Sequence, residues 1–181
     1  MTVLQIVLAL VAVLFVVVGL YRYQIVNFKT SSKSHEDFSG VLYQVGKSVV
    51  AYQGASETKD NNKRSLVCMH GWLEDHRYFS DLYTSDDGEL IFINSCDYHA
   101  PVKGQEIVKA NWQTANPYPE CTIEYDAAVL IQAVKNLASH DEILLHGHSR
   151  GGAVVTEAIK QAPELFANAT VILEAAILPE A

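Results

Sequence analysis

Apolar and polar positions divide the chain into one long apolar run at its start and a series of short apolar runs separated by polar segments. The first run, from Val3 to Leu20, is interrupted only by Gln5 and Gly19. At about 1.5 Å per residue, a helix of this length spans roughly 27 Å, close to the thickness of the hydrocarbon core of a bilayer. We therefore predict an uncleaved transmembrane anchor within residues 1–26.

The segment after this run is polar and indicates how the anchor is oriented. Residues 27–40 are predicted to be a tether. A cleaved signal peptide is the alternative, but no basic residue precedes the run and no good cleavage site follows it. Because Arg22, Lys29 and Lys33 all follow the run, the positive-inside rule places the rest of this single-pass membrane protein on the cytoplasmic side. Three cysteines agree weakly with a reducing compartment.

The short apolar runs predict strands that alternate with helices. Strands are expected at 41–45, 48–53, 65–69, 90–94, 142–146 and 170–174, and helices at 74–83, 122–138 and 151–161. Residues 95–120 contain three prolines and are expected to be irregular. This alternation indicates an α/β domain over residues 41–181, with a mainly parallel sheet and flanking helices. In such sheets, chemistry takes place at the carboxyl ends of the strands.

Composition and charge restrict the partners of this domain. The chain has 181 residues, 13 Lys+Arg and 21 Asp+Glu, which gives a net charge of −8. An acidic chain with no basic patch is not expected to bind a nucleic-acid backbone. The spacing of Cys68, Cys96 and Cys121 matches no metal motif, and no metal or other cofactor is predicted.

One motif in the domain carries chemistry. The sequence Gly147-His148-Ser149-Arg150-Gly151-Gly152 has the pattern G-x-S-x-G, and it lies between a predicted strand and a predicted helix. In this setting the serine adopts a strained backbone that projects its hydroxyl above the sheet, and only small residues fit two positions before and after it. The pattern predicts Ser149 as a nucleophile. A glycine-rich turn without a nucleophile and a phosphate-binding loop are the alternatives, but the phosphate-loop spacing is absent.

A second motif, His70-Gly71-Trp72, follows the first buried strand and supports the first. Acyl transfer needs two N–H donors for the developing oxyanion. The expected donors are the backbone N–H groups of Trp72 and of Arg150, the residue after the predicted nucleophile. A simple strand-ending turn is the alternative for this loop.

Together, Met69-His70-Gly71-Trp72, the strand Leu90–Asn94, the motif Gly147–Gly151 and the strand Val171–Glu174 resemble the α/β-hydrolase superfamily in order and approximate spacing. The resemblance covers roughly residues 41–178. It implies a Ser nucleophile, a His base, an acidic partner, and hydrolysis of a small-molecule ester or a related acyl compound, as in esterases and lipases. The substrate itself is not indicated.

The expected base does not follow the expected nucleophile. In the superfamily the chain order is Ser, acid, His, yet all seven histidines precede Ser149. His99 is a possible substitute base in the wrong chain order, and His146 is expected to be a packed core residue. Glu174 is an acid candidate, although an ordinary strand-end charge is the favoured interpretation.

These observations leave two functional hypotheses. The preferred one is the amino-terminal part of a membrane-anchored serine hydrolase, cut short before the acid and His, and inactive or nearly so as it stands. The alternative is a non-catalytic, hydrolase-like membrane protein that binds a ligand or a partner. A sheet ending at the strand after the active-site strand is also expected to expose an apolar edge.

Overall fold

The computed structural model describes Gln5 and residues 11–20, 38–56, 64–96 and 105–177. The chain divides into two compact units, Met1–Asp37 and Phe38–Ala181. In the first unit, residues 11–20 are helical and are called α1. Within the described ranges, no helix combines the length and the apolar character that crossing a membrane requires. The transmembrane part of the fold prediction is therefore not shown, and the division into anchor, tether and core stays a prediction.

The second unit is built around one mixed sheet. Its described strands are β1 (Val41–Val45), β2 (Ser48–Gln53), β3 (Arg64–Met69), β4 (Glu89–Asn94), β5 (Ile107–Lys109), β6 (Glu142–His148) and β7 (Thr170–Glu174), in the spatial order β5-β1-β2-β4-β3-β6-β7. β2 runs antiparallel to β1 and β4, whereas all other neighbouring strands are parallel. The prediction of a mainly parallel α/β sheet is thus confirmed.

Helices cover both faces of this sheet. They are α2 (Arg77–Ser80), α3 (Ile123–Leu137) and α4 (Arg150–Gln161). Apolar side chains of α3 and α4, such as Leu130 and Val154, join one core with β3 and β6, whereas Phe79 of α2 packs on Phe92 in a second core. The hydroxyl of Thr122 accepts the N–H of Tyr125 at 3.1 Å and caps the start of α3, as its sequence predicts.

Two predicted elements are corrected by the structure. The helix expected over residues 74–83 is limited to Arg77–Ser80: side chains take up N–H groups before and at its start, and the N–H groups of Leu82 and Tyr83 both turn back to the carbonyl of Phe79 after its end. Asp75 accepts the N–H of Arg77 at 2.9 Å, and Asn94 accepts the N–H of His76 at 2.8 Å. The second correction is β5, which lies in the stretch expected to be irregular. This strand forms by pairing with β1, which is distant in the chain, so no local sequence pattern predicts it.

Candidate active site at the carboxyl edge of the sheet

The register of the sheet brings the two predicted motifs together. Met69, the last residue of β3, pairs with Gly147 of β6, and His148 pairs with Glu174 at the end of β7. These strands are parallel, so the residues that follow them emerge at the same edge. Both motifs therefore lie side by side at the carboxyl ends of the strands, where α/β sheets place their chemistry.

Ser149 has the strained backbone that the motif predicts. It joins β6 to α4 with φ +51° and ψ −117°, a region that non-glycine residues rarely adopt. Its N–H donates to the carbonyl of Glu174 at 2.8 Å, and its carbonyl accepts the N–H groups of Gly152 and Ile177, each at 3.0 Å. These three backbone bonds hold a conformation that costs on the order of 1–3 kcal/mol.

The neighbouring glycines are required by close backbone packing. A Cβ on Gly147 would come within 2.6 Å of the carbonyl oxygen of Gly151. A Cβ on Gly151 would overlap the carbonyl oxygen of Met69, and one on Gly152 would overlap the side chain of Ala176. Since real Cβ atoms do not approach other atoms this closely, the tight turn depends on all three glycines.

The loop after β3 lies against Ser149. A Cβ on Gly71 would meet the Cβ of Ser149 at 3.0 Å and Nδ1 of His148 at 2.9 Å. The N–H of Gly71 donates to Oε2 of Glu74 at 3.0 Å, and the same oxygen lies 2.8 Å from Nδ1 of His148. The carboxylate of Glu74 thus joins this loop to the turn that carries Ser149.

Two backbone donors remain for a ligand at this edge. Among the described residues, nothing accepts the backbone N–H of Trp72 or of Arg150. Arg150 is the first residue of α4, where the helix dipole favours negative charge. Trp72 itself is 66% exposed. The assignment of these two groups as oxyanion donors stays a prediction.

A network of largely buried polar contacts connects the loop after β3 with the start of α4, and so links the two motifs. His70 Nε2 accepts the N–H of Ser95 at 3.1 Å, which leaves its Nδ1 to donate to the carbonyl of Gly71 at 2.7 Å. Ser95 donates through its hydroxyl to Asp126 Oδ2 at 2.5 Å, and Nη1 of Arg150 lies 2.8 Å from the same oxygen. This chain of contacts connects the loop after β3, the end of β4, α3 and the start of α4.

Asp126 is a residue whose role the sequence did not indicate. Its place in the first turn of a helix suggested a favourable contact with the helix dipole only. In the structure its side chain is fully buried and pairs with Arg150. The sequence does show that Asp126 lies on the apolar face of the predicted helix, which indicates burial. Its cationic partner, however, lies 24 positions further along the chain, so the sequence does not identify the pair.

A second group of polar side chains surrounds His148. Its ring stacks on that of Tyr78 with centroids 4.6 Å apart and an interplanar angle of 16°. The hydroxyl of Tyr78 donates to Oε1 of Glu174 at 2.8 Å. Burial raises the pKa of Tyr78 to about 12, and the hydrogen bond to Glu174 adds to this effect. Tyr78 is therefore a neutral donor at physiological pH.

His146 and Glu174 form a pair within this group. His146 Nε2 lies 3.2 Å from Oε2 of Glu174, and its Nδ1 lies 2.9 Å from the hydroxyl of Tyr83. Burial lowers the pKa of His146, while the nearby Glu174 opposes that change. The expectation of a buried His146 is borne out. Glu174 ends β7 with both carboxylate oxygens engaged and its side chain 42% exposed, and its role as an acid stays a prediction.

Of the remaining histidines, His76 and His140 lie in the part of the chain that the structure describes. His76 precedes α2 and contacts Asn94, and His140 lies before β6 at the opposite edge of the sheet. His35 and His99 lie outside the described residues, so the substitute base proposed from the sequence is not tested. No group of three or more potential ligands that could hold a metal occurs in the described ranges.

Comparisons with known proteins identify the fold. No family model matches the chain, and no curated protein matches it. It is similar to a crystal structure of a candidate lipase (lip1) from Acinetobacter baumannii AYE, with 20% identity and a TM-score of 0.50, over 75% of this chain and 40% of that one. It is also similar to an AqdC variant in complex with its substrate, with 15% identity and a TM-score of 0.52, over 78% of this chain and 47% of that one.

These likenesses show that the protein has the α/β-hydrolase fold, as the sequence predicts. Its chain spans less than half the length of either structure. The AqdC structure concerns ring cleavage of the Pseudomonas quinolone signal, whereas the other is named as a lipase. Proteins of this fold therefore catalyse different reactions, and the fold alone assigns none of them to this chain.

Proposed function

We propose that this protein is a serine hydrolase of the α/β-hydrolase type that acts on small-molecule esters or related acyl compounds. The observation that carries the proposal is the strained backbone of Ser149 at φ +51°, held at the junction of β6 and α4 by glycines that tolerate no Cβ. Non-glycine residues are held in such strain chiefly at functional sites, where the cost is offset by a precise orientation of the side chain.

In this proposal, Ser149 Oγ forms a bond to the acyl carbon, and its proton passes to a base. The carbonyl oxygen becomes an oxyanion that accepts the backbone N–H groups of Trp72 and Arg150. The ester C–O bond then breaks and the alcohol leaves with a proton. Water releases the acyl group from Ser149, which completes the reaction.

The proposal needs a base at Ser149, and a histidine is the usual one. Among the described histidines, His70 and His146 each have both ring nitrogens in hydrogen bonds, and Nδ1 of His148 contacts Glu74. This engagement is the observation that favours the second candidate function, a hydrolase-like protein that binds a ligand without chemistry. The two functions differ in one measurable property, which is covalent turnover at Ser149.

Hydrolysis of p-nitrophenyl esters of increasing acyl length by the intact gene product tests the proposal. We expect turnover that the Ser149→Ala variant lowers by at least about 10³-fold, because the nucleophile is lost. Ser80→Ala is the matched control, since Ser80 is an exposed serine of α2 outside the site. No turnover, or equal turnover by the Ser149→Ala variant, would support the ligand-binding alternative.

We further propose that residues 3–20 anchor the protein in a membrane, with the second unit on the cytoplasmic side. Val13, Leu14 and Phe15 of α1 are all more than half exposed, as lipid-facing side chains are. After carbonate extraction the protein should stay with the membrane, and a variant lacking residues 3–20 should be released.

Orientation can be read from a glycosylation sequon at Asn168, which is exposed in the turn before β7. A cytoplasmic domain leaves Asn168 unmodified in eukaryotic cells. A glycosidase-sensitive shift that Asn168→Gln removes would place the domain in the lumen instead.

A further inference from the structure

Two cysteine side chains meet at the edge of the buried network. Sγ of Cys96 and Sγ of Cys121 lie 3.8 Å apart, and they are not joined by a disulfide. Sγ of Cys121 also lies 3.7 Å from the carbonyl oxygen of Cys96. A disulfide needs the sulfurs at about 2.05 Å, so closing this gap takes a movement of less than about 2 Å.

Both cysteines are positioned by contacts with the start of α3, so their proximity follows from the fold. The N–H of Cys96 donates to Oδ1 of Asp126 in the first turn of α3, at 3.2 Å. Cys121 immediately precedes Thr122, the residue that caps α3. Cys121 also has φ +64°, a conformation that residues other than glycine rarely adopt. The backbone at both positions is thus set by the start of α3.

The two thiols differ in access, as the two partners in thiol oxidation commonly do. Cys121 is exposed and can meet a small oxidant, whereas Cys96 is 1% exposed and lies in contact with Cys121. The third cysteine, Cys68, is fully buried in β3, and burial raises the pKa of its thiol. Cys68 is therefore a natural internal control.

We propose that Cys96 and Cys121 are a redox modification site that hydrogen peroxide converts to an intramolecular disulfide. The Cys121 thiolate attacks one peroxide oxygen, the O–O bond breaks, and a sulfenic acid and water form once a proton is taken up. Sγ of Cys96 then attacks Sγ of Cys121 and displaces the hydroxyl as a second water. The two thiols lose two electrons and two protons in total, and peroxide is reduced to two waters.

Oxidation of the pair acts next to the candidate active site. Cys96 follows Ser95, whose hydroxyl contacts both Asp126 and Arg150. In a reducing compartment such a disulfide forms transiently and reports on oxidants, which is the usual role of cytoplasmic disulfides. Formation of the Cys96–Cys121 disulfide does not require hydrolase activity, so it can be tested independently of the proposed function.

The test is stoichiometric oxidation of the intact, detergent-solubilised protein with hydrogen peroxide, followed by thiol alkylation in denaturant and peptide mass spectrometry. In the reduced protein, Cys68, Cys96 and Cys121 should each take up one alkyl group. In the oxidised protein, only Cys68 of these three should be alkylated, and a linked peptide containing Cys96 and Cys121 should appear, about 2 Da lighter than the two free peptides. Dithiothreitol should restore all three sites.

Variants separate this outcome from other oxidations. Cys121→Ser should keep the remaining thiols alkylatable after peroxide, whereas Cys68→Ala should form the linked peptide as the parent does. The peptide map of the parent decides the question even where a variant does not fold. A disulfide-linked dimer through Cys121, or irreversible oxidation of Cys121 without the linked peptide, would overturn the proposal.

Discussion

At the scale of single residues, the carboxylate of Glu74 joins the loop after β3 to the turn that carries Ser149. One of its oxygens accepts the N–H of Gly71 and contacts His148. Replacing it removes the link between the loop after β3 and the turn that carries Ser149. The geometry of the predicted oxyanion donors should then loosen without loss of the fold.

We expect Glu74→Ala to slow acylation of Ser149 about tenfold, equivalent to ~1.4 kcal/mol. Glu74→Gln retains an acceptor for Gly71 and should have a smaller effect. The rate of covalent labelling by a fluorophosphonate measures both, with the exposed Glu164→Ala as the control. Equal rates in all three variants would show that Glu74 does not position this loop.

Buried histidines make stability depend on pH. His76 and His146 both have a pKa lowered by burial, and Nε2 of His76 is buried without a hydrogen-bond partner among the described residues. The unfolded chain therefore binds protons more readily than the folded one as pH falls below about 6.5. Stability is fully present above that pH and is lost as pH falls towards the folded-state values.

The melting temperature should accordingly fall between pH 7 and pH 5. Each histidine can contribute a slope of at most about 1.4 kcal/mol per pH unit. In His76→Gln, which cannot be protonated, thermal melts across this range should show a shallower slope. A slope unchanged by this substitution would contradict the assignment to His76.

At the scale of elements, local patterns predicted most of the fold and non-local pairing explains what they missed. The β1–β2 hairpin and α3 were predicted at or within one residue of their observed ends, because turn and cap residues mark them locally. By contrast, β5 forms only by pairing with β1. The site shows the same division, since the Ser149 turn is local and the Asp126–Arg150 pair is not.

Glu89, the first residue of β4, shows how a buried charge can join elements. Its carboxylate accepts the hydroxyl of Tyr52 at 3.0 Å and that of Ser65 at 2.6 Å. It also accepts both the N–H and the hydroxyl of Ser139, each at 2.9 Å. Glu89 thereby connects β2, β3, β4 and the segment after α3 at the amino edge of the sheet.

Removing this carboxylate should destabilise the whole unit. We expect Glu89→Ala to lower the free energy of unfolding by about 3 kcal/mol, because four hydrogen bonds to a buried carboxylate are lost and the buried hydroxyl of Ser65 loses its acceptor. Urea denaturation measures the change. Glu142→Ala, an exposed acidic residue that opens β6, should have little effect. Similar values for the two variants would refute this role of Glu89.

At the scale of the whole molecule, β7 presents an apolar edge. It lies at one end of the described sheet, and Val171, Ile172 and Leu173 are each about two-fifths exposed. Edge strands with exposed apolar side chains pair with other chains unless charges or covering segments prevent it. The opposite edge, β5, has only three residues and ends in Lys109.

We expect residues 27–181 expressed alone to be poorly soluble and to self-associate, as the sequence also predicts. Val171→Lys should reduce association more than Val108→Lys, which places the same charge on the opposite edge. Light scattering and sedimentation measure the difference. A monomeric parent fragment with a cooperative thermal melt would contradict this expectation.

The hydrolase chemistry proposed for the site requires the strained Ser149 between β6 and α4 to be a nucleophile. Labelling the intact gene product with a fluorophosphonate and mapping the adduct by mass spectrometry measures this property. We expect one adduct, on Ser149, that Ser149→Ala abolishes and Ser80→Ala leaves unchanged. An unlabelled protein, or the same labelling in the Ser149→Ala variant, would contradict it.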